Sequence, residues 1–291
     1  MGEAVCVWDV RAQLGEGPVW IAEEQALWFV DIKGLKIHRF HPATGDKQTW
    51  DSPEPCGFLA PVQGGGFIAG LQSGLHLFDP SNGGFGLIAE IEPQIPNNRL
   101  NDGFVAADGR LWFGTMDNNE ETPSGRLYSF FDGVVTAHDD GYVITNGPAE
   151  SPDGTILYHV DTLKREIYAF DKAGGELSNK RVFARVQKPG CGADGPAVDA
   201  AGVVWQTLFG GWGIERFAPD GTYLDIVDVP VPNITKLAFG GPDLKTAYVT
   251  TAWLALSEEE RAASPRSGSL FAIELDAPGL PQAKVRLAPR G

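Results

Sequence analysis

Hydrophobic positions along the chain fall in short runs rich in aromatic and β-branched residues, broken by turn residues, with no stretch showing the 3.6-residue period of a long helix. That pattern predicts strands. Six runs carry an aromatic anchor: Trp28 in ALWFVD, Phe67 in GGFIAG, Trp112 in RLWFGT, Tyr158 in ILYHVD, Trp205 in VVWQTL and Tyr248 in TAYVTT. The anchors are 39, 45, 46, 47 and 43 residues apart. A second run follows each, ending in Phe40, Phe78, Phe130, Phe170, Phe217 and Ile273, and most are trailed by hairpin-closing residues: HPATG, DPSNG, FDG, DKAGG, APDG. Strand-rich units repeating about every 40 to 50 residues predict an all-β fold, a six-bladed β-propeller with a central channel. One set of repeats fills the chain, so a single domain over residues 1–291 is expected, with the N-terminal CVWDV completing the last blade.

The phase of the repeat points to a site. Counting back from the anchors reaches the strand expected to be innermost in each blade. Glu16 and Asn146 lie 12 residues before Trp28 and Tyr158, and Asn101 and Asp194 lie 11 before Trp112 and Trp205. Cys56 and Lys236 hold that phase in the other two blades. Equal phase in a propeller means equal height around the axis, so Glu16, Asn101, Asn146, Asp194 and Lys236 should face one channel mouth. Their contexts, LGEGPVW, RLNDGFV, ITNGPAE and GADGPAVD, place glycine close behind. Any one of these alone reads as a turn; recurrence at one phase favours a site.

Carboxylates facing one another in a partly desolvated channel raise each other's proton affinity. A divalent cation removes that conflict. Carboxylate and amide oxygens suit Ca, Mg and Mn, and Zn and Fe(II) also accept carboxylate oxygen, so the residues predict one divalent metal per chain without choosing among these. Water or substrate would complete the shell, as in catalytic metal sites.

Charge and composition narrow the partners. With 38 acidic against 23 basic residues the formal charge is −15, which opposes nucleic acid. No run approaches the roughly 18 to 20 apolar residues of a membrane span, and MGEAVCVWDV lacks the features of a signal peptide. A soluble, cytoplasmic protein with no obligate protein partner is expected. Cys6, Cys56 and Cys191 have no CxxC spacing and read as buried, inert thiols. No GxSxG, HExxH or GxxxxGK[ST] motif occurs. His38 and His76 recur at one structural position, and His159 beside an anchor reads as packed.

The phased motifs, with NNRLNDG, GRLWFGTM, SPDGTILYHVD and AFGGPDLKTAYVTTA, resemble the family joining senescence marker protein (regucalcin), gluconolactonase and luciferin-regenerating enzyme. The resemblance runs from about Trp8 to Trp253 and looks closest to bacterial sugar lactonases such as xylonolactonase. It implies one catalytic divalent metal in the channel, held by Glu16, Asn146 and Asp194. It implies substrate contacts from Arg99 and Asn101, and from a loop position that, counted without gaps, is Asn119; Asp117, Glu120 and Glu121 lie close by. A spacing of two places Arg99 and Asn101 on one face of a strand.

The reaction so implied is metal-dependent hydrolysis of a sugar (aldono) lactone, pentonolactone or hexonolactone, to the aldonic acid. Asp194 serves as both ligand and proton acceptor. The alternative is a non-catalytic, calcium-binding propeller, which would need the ligands but not Arg99 and Asn101. Esterase action on lipophilic substrates fits the polar MDNNEETPSG loop less well.

Overall fold

The computed structural model describes residues 1–287, and within them twenty-four strands and one short helix, Glu258–Ala263. The fold is all-β and is built of small antiparallel sheets. Gly15–Ile21, Ala26–Asp31, Lys36–His41 and Asp46–Asp51 pair in order as one four-stranded sheet. Three further four-stranded sheets start with Cys56–Pro61, Asn98–Val105 and Thr145–Glu150. The rest form one eight-stranded sheet in which two groups, starting with Gly192–Val198 and Asn233–Gly240, are joined by a single residue pair, Phe209 with Asn233. Val5–Trp8 pairs antiparallel with Leu270–Glu274, so the N-terminal strand does complete the last group.

The repeated aromatics are the core of each group. Trp28, Phe67, Trp112, Tyr158, Trp205 and Tyr248 all lie in second strands, and all are buried. They also join one sheet to the next. Trp28 lies 4.9 Å from Trp50 of its own sheet and 4.8 Å from Phe67 of the following one, and Trp20 stacks on Tyr248 at 5.5 Å, tying the first sheet to the last group. Such ring pairs add about 0.5–1.5 kcal/mol each beyond area burial. Outermost strands such as Asp46–Asp51 are largely exposed and charged, which discourages edge-to-edge association.

The first strands are largely buried although several are not strongly apolar. GEGPVWI and TNGPAE are buried at every residue although neither reads as a hydrophobic run. These strands pack against one another in chain order, and Asn233–Gly240 packs back on Gly15–Ile21. Small residues permit the crowding: a Cβ on Gly57 would stand 2.3 Å from the Asn101 carbonyl oxygen. Cys56 is buried here, and burial pushes its thiol up to about 12. Cys191 is also buried, whereas Cys6 is half-buried because Val5–Trp8 lies at the outer edge of its sheet.

After the last strand the chain crosses one end of the channel. Gly279 bridges to Asp199 and Val285 to Val62, and Leu280–Ala283 between them line the end of an axial cavity of about 440 Å³. Among the described residues no helix is long and apolar enough to cross a membrane.

Candidate metal and substrate site

Every innermost strand carries a register irregularity at the same height. It falls between Glu16 and Val19, Cys56 and Leu59, Leu100 and Gly103, Asn146 and Ala149, Ala193 and Pro196, and Ile234 and Lys236. Motifs that resemble turns in sequence are therefore bulges within strands. A bulge breaks side-chain alternation and re-aims the residues beside it. That is the physical basis of the shared phase.

Glu16 lies close to Asp194. Both are buried and come from first strands that are not neighbours in the chain order. Burial, then Asp102, pushes the Glu16 carboxyl up to about 8, against a bond from the Gly17 N–H at 2.9 Å and the cations Lys236 and Arg99. Asp194 is also held well above the usual carboxylate range, by burial first and then by Glu16, which acts through charge and as a hydrogen-bond partner. Like charges confined together behave this way.

Asn146, buried on its own first strand, bonds the neighbouring first strand. Its Nδ2 donates to Thr162 Oγ1 at 2.9 Å, which turns Oδ1 toward Asn101, whose Nδ2 donates to it at 3.2 Å. Among the described residues no group of three His, Cys, Asp or Glu side chains could hold a metal ion. Two carboxylates with a neutral amide oxygen would be a donor set that suits a hard divalent cation.

Asp102 and Lys236 close the site from below. Their side chains form an ion pair across the channel and both are buried. Asp102 also accepts from the Gly103 N–H at 2.7 Å and the Gly147 N–H at 2.9 Å. Three buried carboxylates, Glu16, Asp102 and Asp194, thus share the site with two buried cations, Lys236 and Arg99, and burial raises the proton affinity of all three acids. The axial cavity lies beyond this pair: Gly17, Gly103 and Lys236 line it, but Glu16, Asn146 and Asp194 do not.

The opposite side is polar. Arg99 Nη1 donates to Asn101 Oδ1 at 2.6 Å and to the Leu100 carbonyl at 3.2 Å, and Arg99 Nε donates to Asn118 Oδ1 at 3.2 Å. Burial pushes the guanidinium down to about 10, with Glu120, Glu16 and Asp194 acting the other way. Asn119 is exposed, and its N–H bonds Asp117 Oδ1 at 3.2 Å. The side chain of this loop that reaches Arg99 is Asn118, one residue earlier. Asp102, next to Asn101 in the NDG motif, lies one residue off the shared phase.

Comparison with known proteins identifies the family. Residues 14–253 match the model of the SMP-30/Gluconolactonase/LRE-like region. A 6-deoxy-6-sulfogluconolactonase from Pseudomonas putida is 37% identical over 282 residues, covering 94% of this chain and 95% of the relative. An L-arabinolactonase from Azospirillum brasilense is 34% identical, covering 100% and 98%. The crystal structure of a calcium-binding protein, regucalcin, from Agrobacterium tumefaciens superposes with a TM-score of 0.94 at 30% identity, covering 99% of this chain and 98% of that one. The match extends over nearly the whole body of strands that builds the site, and the protein belongs to the SMP-30/gluconolactonase/LRE-like family.

Proposed function

We propose that this protein is a cytoplasmic sugar lactonase: a single-domain, six-bladed propeller that hydrolyses an aldonolactone with the aid of one divalent cation. The observation that carries the reading is the buried set itself. Three carboxylates, Glu16, Asp102 and Asp194, are crowded with two cations, Lys236 and Arg99, and burial with mutual charge raises the proton affinity of Glu16 and Asp194, a conflict that a divalent cation would relieve. Relatives named for lactonase activity support it. The blade count is supported by the six in-phase bulges and by the single pair joining the two halves of the largest sheet.

Glu16, Asn146 and Asp194 would hold the cation. When bound there, it would polarise the ester carbonyl as a Lewis acid and make water a better nucleophile. Hydrolysis adds water to the carbonyl carbon and breaks the ring C–O bond, and the proton lost by water ends on the former ring oxygen as a hydroxyl. Asp194, buried beside Glu16, is the group assigned to carry it. Arg99, Asn101 and the loop of Asn118 and Asn119 would hold ring hydroxyls and fix the ester over the carboxylates. A calcium-binding role without catalysis would employ the three ligands and leave Arg99 and Asn118 without purpose.

The test is hydrolysis of a panel of pentono- and hexonolactones, followed with a pH indicator, by chelated protein reloaded with each divalent metal in turn. Metal-restored turnover of at least one lactone is expected. No turnover above the spontaneous rate with any cation would leave only the binding role.

A further inference from the structure

The hydrogen-bonded series that starts at Asn146 and passes through Asn101 and Arg99 continues outward to Lys33. Lys33 Nζ donates to Asn118 Oδ1 at 2.9 Å, the same oxygen that accepts from Arg99 Nε at 3.2 Å. Two cations therefore share one neutral acceptor. Arg99 is buried and Lys33 half-buried, and each weakens the hold of Lys33 on its proton, burial first and the Arg99 charge second. Among the described residues neither takes part in an ion pair, in a chain with a formal charge of −15. Glu120, exposed on the loop, offsets both charges but bonds neither.

Both turns that present these groups are braced. Asp31 accepts from the N–H groups of Gln13, Leu14 and Gly34, fixing the turn that carries Lys33. Asp117 accepts from those of Asn119, Glu121 and Thr122, fixing the turn that carries Asn118. Arg99 Nη2 makes no hydrogen bond among the described residues, while Nε and Nη1 are engaged. An uncharged hydroxyl has no need of two cations. An oxyanion takes charge-assisted bonds from both.

We propose that Lys33 and Arg99 form an anion subsite that selects sugar lactones bearing a carboxylate, sulfonate or phosphate on the carbon remote from the ester. This rests on the lactonase reading above. Lys33 is the specificity-determining residue, because Arg99 also serves neutral sugars. The experiment compares kcat/KM for gluconolactone with that for its 6-sulfonate, 6-phosphate and 6-carboxylate forms, in the parent, Lys33→Met and Lys33→Arg, all loaded with metal. The parent should favour at least one charged lactone about tenfold or more; Lys33→Met should lower that charged-to-neutral ratio about tenfold, and Lys33→Arg should keep most of it. A general structural defect would lower both substrates and leave the ratio alone. A parent ratio of one or less for all three charged forms, or a ratio untouched by Lys33→Met, overturns the subsite and leaves the lactonase reading intact. If no lactone is hydrolysed, that reading fails, and calorimetric binding of the charged acids beside gluconate decides the subsite. Tighter binding of a charged acid that Lys33→Met abolishes supports it, and equal binding overturns it.

Discussion

Asn101 Nδ2 donates to Asn146 Oδ1 at 3.2 Å while Asn101 Oδ1 accepts from Arg99 Nη1 at 2.6 Å, so one side chain joins the proposed ligand layer to the proposed substrate layer. Its second amide hydrogen goes to the Thr145 carbonyl at 2.6 Å. Both donors are committed within the protein. Asn101 therefore orients Asn146 as well as Arg99, and Asn101→Ala should weaken metal binding as well as turnover. Losing a residue that orients a metal ligand costs about 10- to 100-fold in affinity. Metal titration of that variant beside Arg99→Ala checks it, and equal affinities in the two would contradict this coupling.

Arg99→Ala removes no proposed ligand. It should keep its metal content and lose about 1 to 3 kcal/mol of transition-state stabilisation, the worth of a charge-assisted bond. Elemental analysis and kcat/KM on one preparation give both numbers.

Lys236→Met leaves Asp102 buried without its ammonium, which should cost about 3 to 5 kcal/mol of stability. Adding Asp102→Asn should recover part of that loss, since the stranded charge goes with it. Urea denaturation of the parent, Lys236→Met and the double variant reads the coupling; a double variant no more stable than Lys236→Met would show that the pair is not the cause.

His159 sets an acid limit on stability. It is fully buried, both ring nitrogens lack a hydrogen-bond partner, and burial pushes it from 6.5 down to about 3. The unfolded chain takes up the proton first as pH falls, so this contribution is complete above about 6.5 and is lost progressively toward 3. His159→Phe, packing on Tyr142 as the imidazole does at 4.9 Å, should flatten the fall in Tm across that window. An unchanged pH profile of Tm would count against it.

Much of this was readable in the sequence because its signals repeat. Trp28, Phe67 and their counterparts recur in register, and each is a buried second-strand anchor. What was not legible turns on local backbone geometry. Strict alternation places Asp102 on the face opposite Asn101. The irregularity between Leu100 and Gly103 breaks that alternation and lets Asp102 reach Lys236 across the channel. Asn119 was reached by ungapped counting, but the bonds Asp117 takes from this loop leave Asn118 over Arg99. The helix Glu258–Ala263 had a readable start, Ser257 and Glu260 forming a capping box, in a segment too short for periodicity to reveal.

The central claim is that Glu16, Asn146 and Asp194 hold one divalent cation that lactone hydrolysis requires. The most direct measurement is metal occupancy beside the hydrolysis rate for the parent and for Asp194→Asn, each stripped with chelator and reloaded. The parent should regain about one ion per chain together with its rate, and Asp194→Asn should lose most of both. Full occupancy and full rate in Asp194→Asn, or hydrolysis by the parent that is indifferent to chelation, would contradict the account.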